Sequence, residues 1–225
     1  MSTSLRATVS GGIDFESYLS TNAATGEIRT KRNARVVLLT ADTLLALADA
    51  MHERLGDDVG ELLYQAGQAW GRDCFSEFAA DAEQPGEVLY HIRNMGLEHF
   101  QDRFNDLLVR SGWGTFSIEE RFETVLLHVN NSAFHEMVSS NNRSYTGFFS
   151  GFLAGFFSEL IGVDLSAAQI GGFDEDSEPS MFLLADEAIV APVRAWVEAG
   201  KGPGEVLELL QAGEHNNKPS KKRQR

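Results

Sequence analysis

Six histidines and one cysteine are the side chains best suited to metal or nucleophilic chemistry in this 225-residue chain, and no spacing organises them into a known motif. His91 and His99 stand eight residues apart on one helical stretch, a little over two turns, too far to chelate a single ion directly. His135-Glu136 lacks the second histidine of a His-Glu-x-x-His zinc helix. His128, His135 and a carboxylate could form a weaker metal site. The plainer reading puts His128 on a half-exposed strand and His135 in a surface turn. Haem ligation needs a histidine facing an apolar cavity. His99, beside Phe100 and near Phe104, is the best placed, although a lone histidine at the rim of a core face is more often simply hydrogen-bonded. Cys74 has no partner marking it as a nucleophile and reads as a small buried hydrophobe between Trp70 and Phe78. Being the single cysteine, it also excludes an internal disulfide framework. No Gly-x-Ser-x-Gly elbow is present. Neither Gly171-Gly172 nor Gly200-Lys-Gly-Pro-Gly-Glu205 has the spacing of a nucleotide-binding loop. The expectation is therefore no catalytic residues, no metal and no cofactor.

What the chain does offer is aromatic surface. Tyr145 to Gly162 places five phenylalanines and a ladder of small residues in one helix-length run. At a helical period Gly147, Gly151 and Gly155 fall on one line, with Ser150, Ala154 and Ser158 beside it. Glycine inside a helix costs roughly 1 kcal/mol relative to alanine, so three in register imply close approach by a strand or a second helix. The phenylalanines then form an apolar wall that bounds either a core or a ligand cavity. Spacing alone leaves both open, with core the commoner outcome. The run is shorter than the ~20 apolar residues a bilayer requires, and it carries Glu159 and two serines. No secretory signal opens the chain, so a soluble, cytoplasmic protein without a membrane span is expected.

The elements that must position this surface follow from periodicity. Residues 1–34 lack sustained pattern apart from Ile13, Phe15, Tyr18 and Leu19 and read as a flexible N-terminal arm. Val36-Val-Leu-Leu39 reads as a short buried strand. A helix capped by Thr40 and stopped by Gly56 follows, then a second over about Val59–Ala80 with its own small-residue line at Gly67 and Gly71. A third runs over about Glu87–Val109, with Gly96 as an interior weak point. Phe116, Ile118 and Thr124–Val129 give two adjacent strands. The glycine-rich helix is next, and then two strands within Val163–Phe173 and Met181–Ala185 flank an acidic loop. Glu187–Gln211 gives one or two helices broken at Gly200–Gly204. This order predicts an α+β fold, an antiparallel twisted sheet of about four to five strands with helices packed on it. The formal charge of −14 disfavours a general nucleic-acid surface. The basic tail Lys218–Arg225 is the local exception and reads as a disordered, solvated end.

These pieces in this order resemble the 4-vinyl reductase domain family, in the superfamily that also contains nitric-oxide-sensing haem domains and Golgi-tethering subunits. The matching segments are Leu62–Gly71, the turn Gly112-Trp-Gly114, the strand end Val129–Phe134, Gly151-Phe-Leu-Ala-Gly155, Gly162 and the closing hairpin through Phe182. The likeness spans about residues 36–185. It implies a homodimer with a hydrophobic pocket between helices and sheet. Many members hold zinc with cysteines before the glycine-rich helix and on the closing hairpin. Ser144-Tyr-Thr146 and Ile170–Ser180 contain none, so this chain lacks the thiolates for that site.

On the resemblance, Tyr64, Trp70, Phe104, Trp113, Phe116, Phe134, Tyr145, Phe149, Phe152 and Phe156 come from elements that meet around the pocket. His99, His128, Tyr145 and Trp113 are candidates to orient a ligand there. The expected organisation is an arm over 1–34, a ligand-binding domain over 35–185, a C-terminal helical extension over 186–213 and a basic tail over 214–225. The expected function is non-catalytic binding of a small hydrophobic or aromatic molecule, a tetrapyrrole among the candidates. The protein would work as a homodimer, and a sensing role would require a separate output protein. The alternatives are an enzyme or accessory factor of tetrapyrrole metabolism, and a structural adaptor with a filled core. The absence of any nicotinamide or flavin motif weighs against autonomous reductase activity.

Overall fold

The computed structural model describes residues 19–30, 33–80, 95–121, 124–133, 146–173 and 179–213. Their fold is α+β, with six helices and two antiparallel sheets. The smaller sheet joins β1 (Leu19–Asn22), β2 (Glu27–Thr30) and β3 (Arg35–Val36) in sequence order. The hairpin β1–β2 occupies part of the stretch expected to be an unstructured arm. Its register is fixed by Leu19 opposite Thr30 and Asn22 opposite Glu27. Its outer surface is held by Glu27, whose carboxylate accepts from Arg29 and Arg35. β3 is shorter than the strand expected over Val36–Leu39. Val37 and Leu38 leave it and stand 72 % and 71 % exposed.

Helix α1 (Ala41–Leu55) starts where Thr40 accepts from the Thr43 amide and ends where Gly56 turns at φ +60°. Helix α2 (Val59–Ala80) has the expected limits. Helix α3 (Leu97–Arg110) begins at Gly96, which is its N-cap in extended geometry rather than a weak point inside a longer helix. The N-terminal part of that expected helix falls within 81–94, outside the described residues.

The main sheet runs in the order β4 (Thr115–Arg121), β5 (Thr124–Asn130), β7 (Ser180–Ala185), β6 (Ser166–Gly171). Strand alternation splits its side chains between two cores. On one face Phe116, Ile118, Leu127, Val129, Ala167, Phe182 and Leu184 meet α3 and the glycine-rich helix α4 (Thr146–Ile161). On the other, Leu126, Ala168, Ile170, Leu183 and Ala185 meet α5 (Glu187–Glu198) and α6 (Pro203–Gln211) through Val190, Val193, Val206 and Leu210. Burial on both faces explains why β5–β7 read as nearly continuous apolar runs.

Helix α4 is almost wholly buried because α2 lies against it at backbone contact. A Cβ on Gly67 would strike the Phe148 carbonyl, and one on Gly71 the Phe152 carbonyl. In the opposite direction, Cβ atoms on Gly151 and Gly155 would strike the carbonyls of Tyr64 and Gln68. One on Gly147 would sit 2.7 Å from the Gly60 oxygen. The two glycine lines seen in the sequence are thus the two halves of one interface.

Both outer edges of the main sheet are closed by side chains, which leaves little free ladder for another chain to pair with. Along β4, Asn105 of α3 donates to the Phe116 carbonyl at 2.9 Å and accepts from the Phe116 amide at 2.6 Å. Gln101, one turn earlier, accepts from the Ile118 amide. Along β6, the Ala167 amide donates to the Tyr64 hydroxyl at 3.2 Å, and Arg194 reaches the Ala167 carbonyl at 3.4 Å.

Candidate functional site

The aromatic wall of α4 is core. Phe104, Phe149, Phe152 and Phe156 are at most 1 % exposed, and Phe116 is 2 % exposed. Their rings interlock: Phe104 lies 4.5 Å from Phe116 and 4.6 Å from Phe156, and Phe149 lies 5.4 Å from Phe152. Edge-on and offset contacts of this kind are favourable. Five of the residues expected around a pocket between helices and sheet are therefore packed together in one buried core.

A cavity of about 810 Å³ lies beside the α2–α4 interface, between α2, α1, the C-terminal end of α3 and the 34–39 segment. Its volume is within the range of small-molecule sites. α1 supplies Leu44, Leu47, Ala48 and Met51, and the segment after β2 supplies Val36, Val37, Leu38 and Leu39. The back wall is Leu63, Trp70, Leu107, Trp113 and Phe148. Trp70 is its hinge residue in the packing sense. Its ring stacks on Phe148 at 5.5 Å, tilts against Trp113 at 5.5 Å, and touches the core through Phe152 at 4.5 Å.

Of the expected ligand-binding residues that are described, Trp70 and Trp113 line this cavity. Tyr64 is drawn away because its hydroxyl serves the β6 edge and Arg194 packs over its ring at 5.2 Å. His99 is exposed on α3, one residue before the buried Phe100, so the helical turn that buries the phenylalanine directs the histidine to solvent. That placement does not fit haem ligation. His128 pairs across the sheet with Ser117 and Met181 and so points to the α5–α6 side, where its Nε2 lies 3.5 Å from Glu119. Phe134 and Tyr145 are outside the described residues. Among the described residues, no group of three or more histidine, cysteine, aspartate or glutamate side chains could hold a metal.

The polar part of the lining was missed from sequence. Leu63, Trp70, Cys74 and Glu77 follow one stripe of α2 at intervals of seven, four and three residues, beside the glycine stripe. That spacing was the available signal. Burial pushes the Cys74 thiol up to about 12, with the charges of Glu77 and Asp73 adding to the shift. The thiol is therefore protonated at neutral pH and is not a nucleophile. Arg35, Arg110, Ser111 and Thr30 complete the polar rim.

No family model matches the chain, and no curated protein matches it. Among solved structures it matches the phenol-responsive sensory domain of the transcription activator PoxR, crystallised with phenol. The TM-score is 0.53 at 15 % identity, covering 76 % of this chain and 86 % of that one. At that identity the likeness shows the fold alone: this is an α+β domain with the architecture of that sensory domain. A more distant match is trafficking protein particle complex subunit 3 from Naegleria fowleri, covalently bound to palmitic acid. Its TM-score is 0.46 at 9 % identity, covering 64 % of this chain and 93 % of the other. No described helix is long and apolar enough to cross a membrane.

Proposed function

We propose that this chain is a domain of the 4-vinyl reductase type that binds a small hydrophobic or aromatic molecule without transforming it, as a sensor or carrier. The observation that carries this reading is the 810 Å³ cavity backed by Trp70, Trp113 and Phe148. Apolar walls with a few polar groups at the rim suit a ligand that is mostly hydrocarbon or aryl. The shared fold with a phenol-responsive sensory domain supports it. On the same reading the protein works as a homodimer and passes a ligand signal to a separate partner. On this reading residues 35–185 are the ligand-binding domain, and α5 and α6 are a C-terminal helical extension packed on the second face of its sheet. A tetrapyrrole stays among the ligand candidates.

The packed phenylalanine centre favours a second reading, a structural adaptor whose cavity is incidental. Native mass spectrometry of freshly purified protein, with an absorbance spectrum of the same sample, separates the two. A dimer carrying an apolar adduct is the expected result, and a visible band on it would identify a pigment. A ligand-free mass that stays unchanged after incubation with apolar compounds would favour the adaptor.

A further inference from the structure

The cavity is not electrically symmetric. Among the described residues, three charged ones line it, Arg35, Arg110 and Glu77. The two arginines are already paired: Arg35 Nη1 lies 2.7 Å from Glu27, and Arg110 Nη2 lies 2.5 Å from Asp106. Glu77 is half-buried and, among the described residues, has neither an ion pair nor a hydrogen bond. The nearby Arg103 packs over the Phe78 ring at 4.8 Å and donates to the Phe78 carbonyl at 3.4 Å, and it does not line the cavity. Arg110 is offset by Asp106, and Arg35 shares the Glu27 carboxylate with Arg29. Among the described residues of the lining, Glu77 is thus the charged group without an ion-pair partner, and it is negative.

Position makes that charge useful. Glu77 is seven residues beyond Trp70 on α2, so the two are separated by roughly 10 Å along the helix axis. The rest of the α2 stripe between them is the neutral Cys74 thiol. Cys74 and Glu77 both line the cavity, one helical turn apart. One end is thus aromatic and the other anionic.

We propose that the cavity takes a cationic amphiphile: an apolar body against Trp70, Trp113 and Phe148, and a protonated amine on the Glu77 carboxylate. This rests on the cavity being the ligand site. A charge-assisted hydrogen bond from an ammonium to a partly desolvated carboxylate is stronger than a neutral one. The overall charge of −14 adds a longer-range attraction for cations.

The test is isothermal titration of the whole protein with octylamine, 1-octanol and octanoate, which share one hydrocarbon body. About 150 mM salt limits the long-range contribution, with a Debye length near 8 Å. Octylamine is expected to bind about tenfold tighter than octanol, with octanoate weakest. Glu77→Gln should bring octylamine to within about twofold of octanol and leave octanol unchanged, since the amide keeps shape but loses charge. Glu77→Lys should reverse the order of amine and carboxylate. Equal or tighter binding of octanoate by the unmodified protein overturns the proposal. So does an amine preference that survives Glu77→Gln. If octanol binds and the amine gains nothing, the cavity is a ligand site without this polarity. If none of the three binds, the ligand-site reading falls as well.

Discussion

Alanine at Gly151 is expected to destabilise the domain by about 3 kcal/mol, at the upper end of what overpacking costs. On an exposed helix the same change stabilises by roughly 1 kcal/mol, so the sign itself is diagnostic. The added methyl would collide with the Tyr64 carbonyl, part of the backbone of α2, and backbone cannot move aside as the tip of a side chain can. Gly67→Ala meets the Phe148 carbonyl in the same way and should cost a similar amount. Gly60→Ala is the control within α2, because nothing lies within 4 Å of the site where its Cβ would stand. It should be neutral or mildly stabilising. Urea unfolding followed by circular dichroism reads all three. Equal effects at Gly60 and Gly151 would mean that the helices are not in backbone contact.

Asn105→Leu is expected to cost about 4 kcal/mol. The substitution fills the same space but orphans both the amide and the carbonyl of Phe116, each at roughly 1–3 kcal/mol when buried. Asn105 is 1 % exposed and Phe116 is 2 % exposed, so water does not readily replace the lost partners. Asn105→Asp tests the same pair differently. It keeps an acceptor for the Phe116 amide but turns a carboxylate toward the carbonyl, and a buried charge facing an acceptor is unfavourable. Both variants should lower the urea midpoint with little change in its slope. An Asn105→Leu protein of normal stability would show that the β4 edge finds other partners.

The sequence reported the parts of this fold that depend on local spacing. The glycine lines at 67–71 and 147–155 were visible because three- and four-residue intervals mark one helix face whatever lies opposite. The caps at Thr40 and Gly56, the β4–β5 hairpin and the break before Pro203 were legible for the same reason. What was not legible depends on partners far away in the chain. Tyr64 looked like one more aromatic of a pocket, yet its hydroxyl accepts from Ala167, 103 residues on. Gln101 and Asn105, polar residues on a helix, close a sheet edge through strand residues 17 and 11 positions on. β1 and β2 were missed because four residues each, rich in charge and threonine, give too short an alternation to separate from coil.

The candidate site was only partly legible. An aromatic stripe shows that a helix face is apolar, without showing whether protein or ligand covers it. In α4 protein covers it, through Phe104, Phe116 and Phe182. The open space lies beside the α2–α4 interface, where Trp70 and Trp113 belong to core and cavity at once.

Those two indoles allow the most direct measurement of the central claim, that the cavity at α2 holds an apolar ligand. The chain has three tryptophans, and Trp196 packs in the second core with α5 and α6. In a Trp196→Phe variant the emission comes from Trp70 and Trp113 alone. Titration with 8-bromo-1-octanol, whose bromine quenches indole on contact, should give saturable quenching that unbrominated octanol reverses. Quenching that rises linearly, as for free tryptophan, and that octanol does not compete away would contradict ligand binding at this cavity.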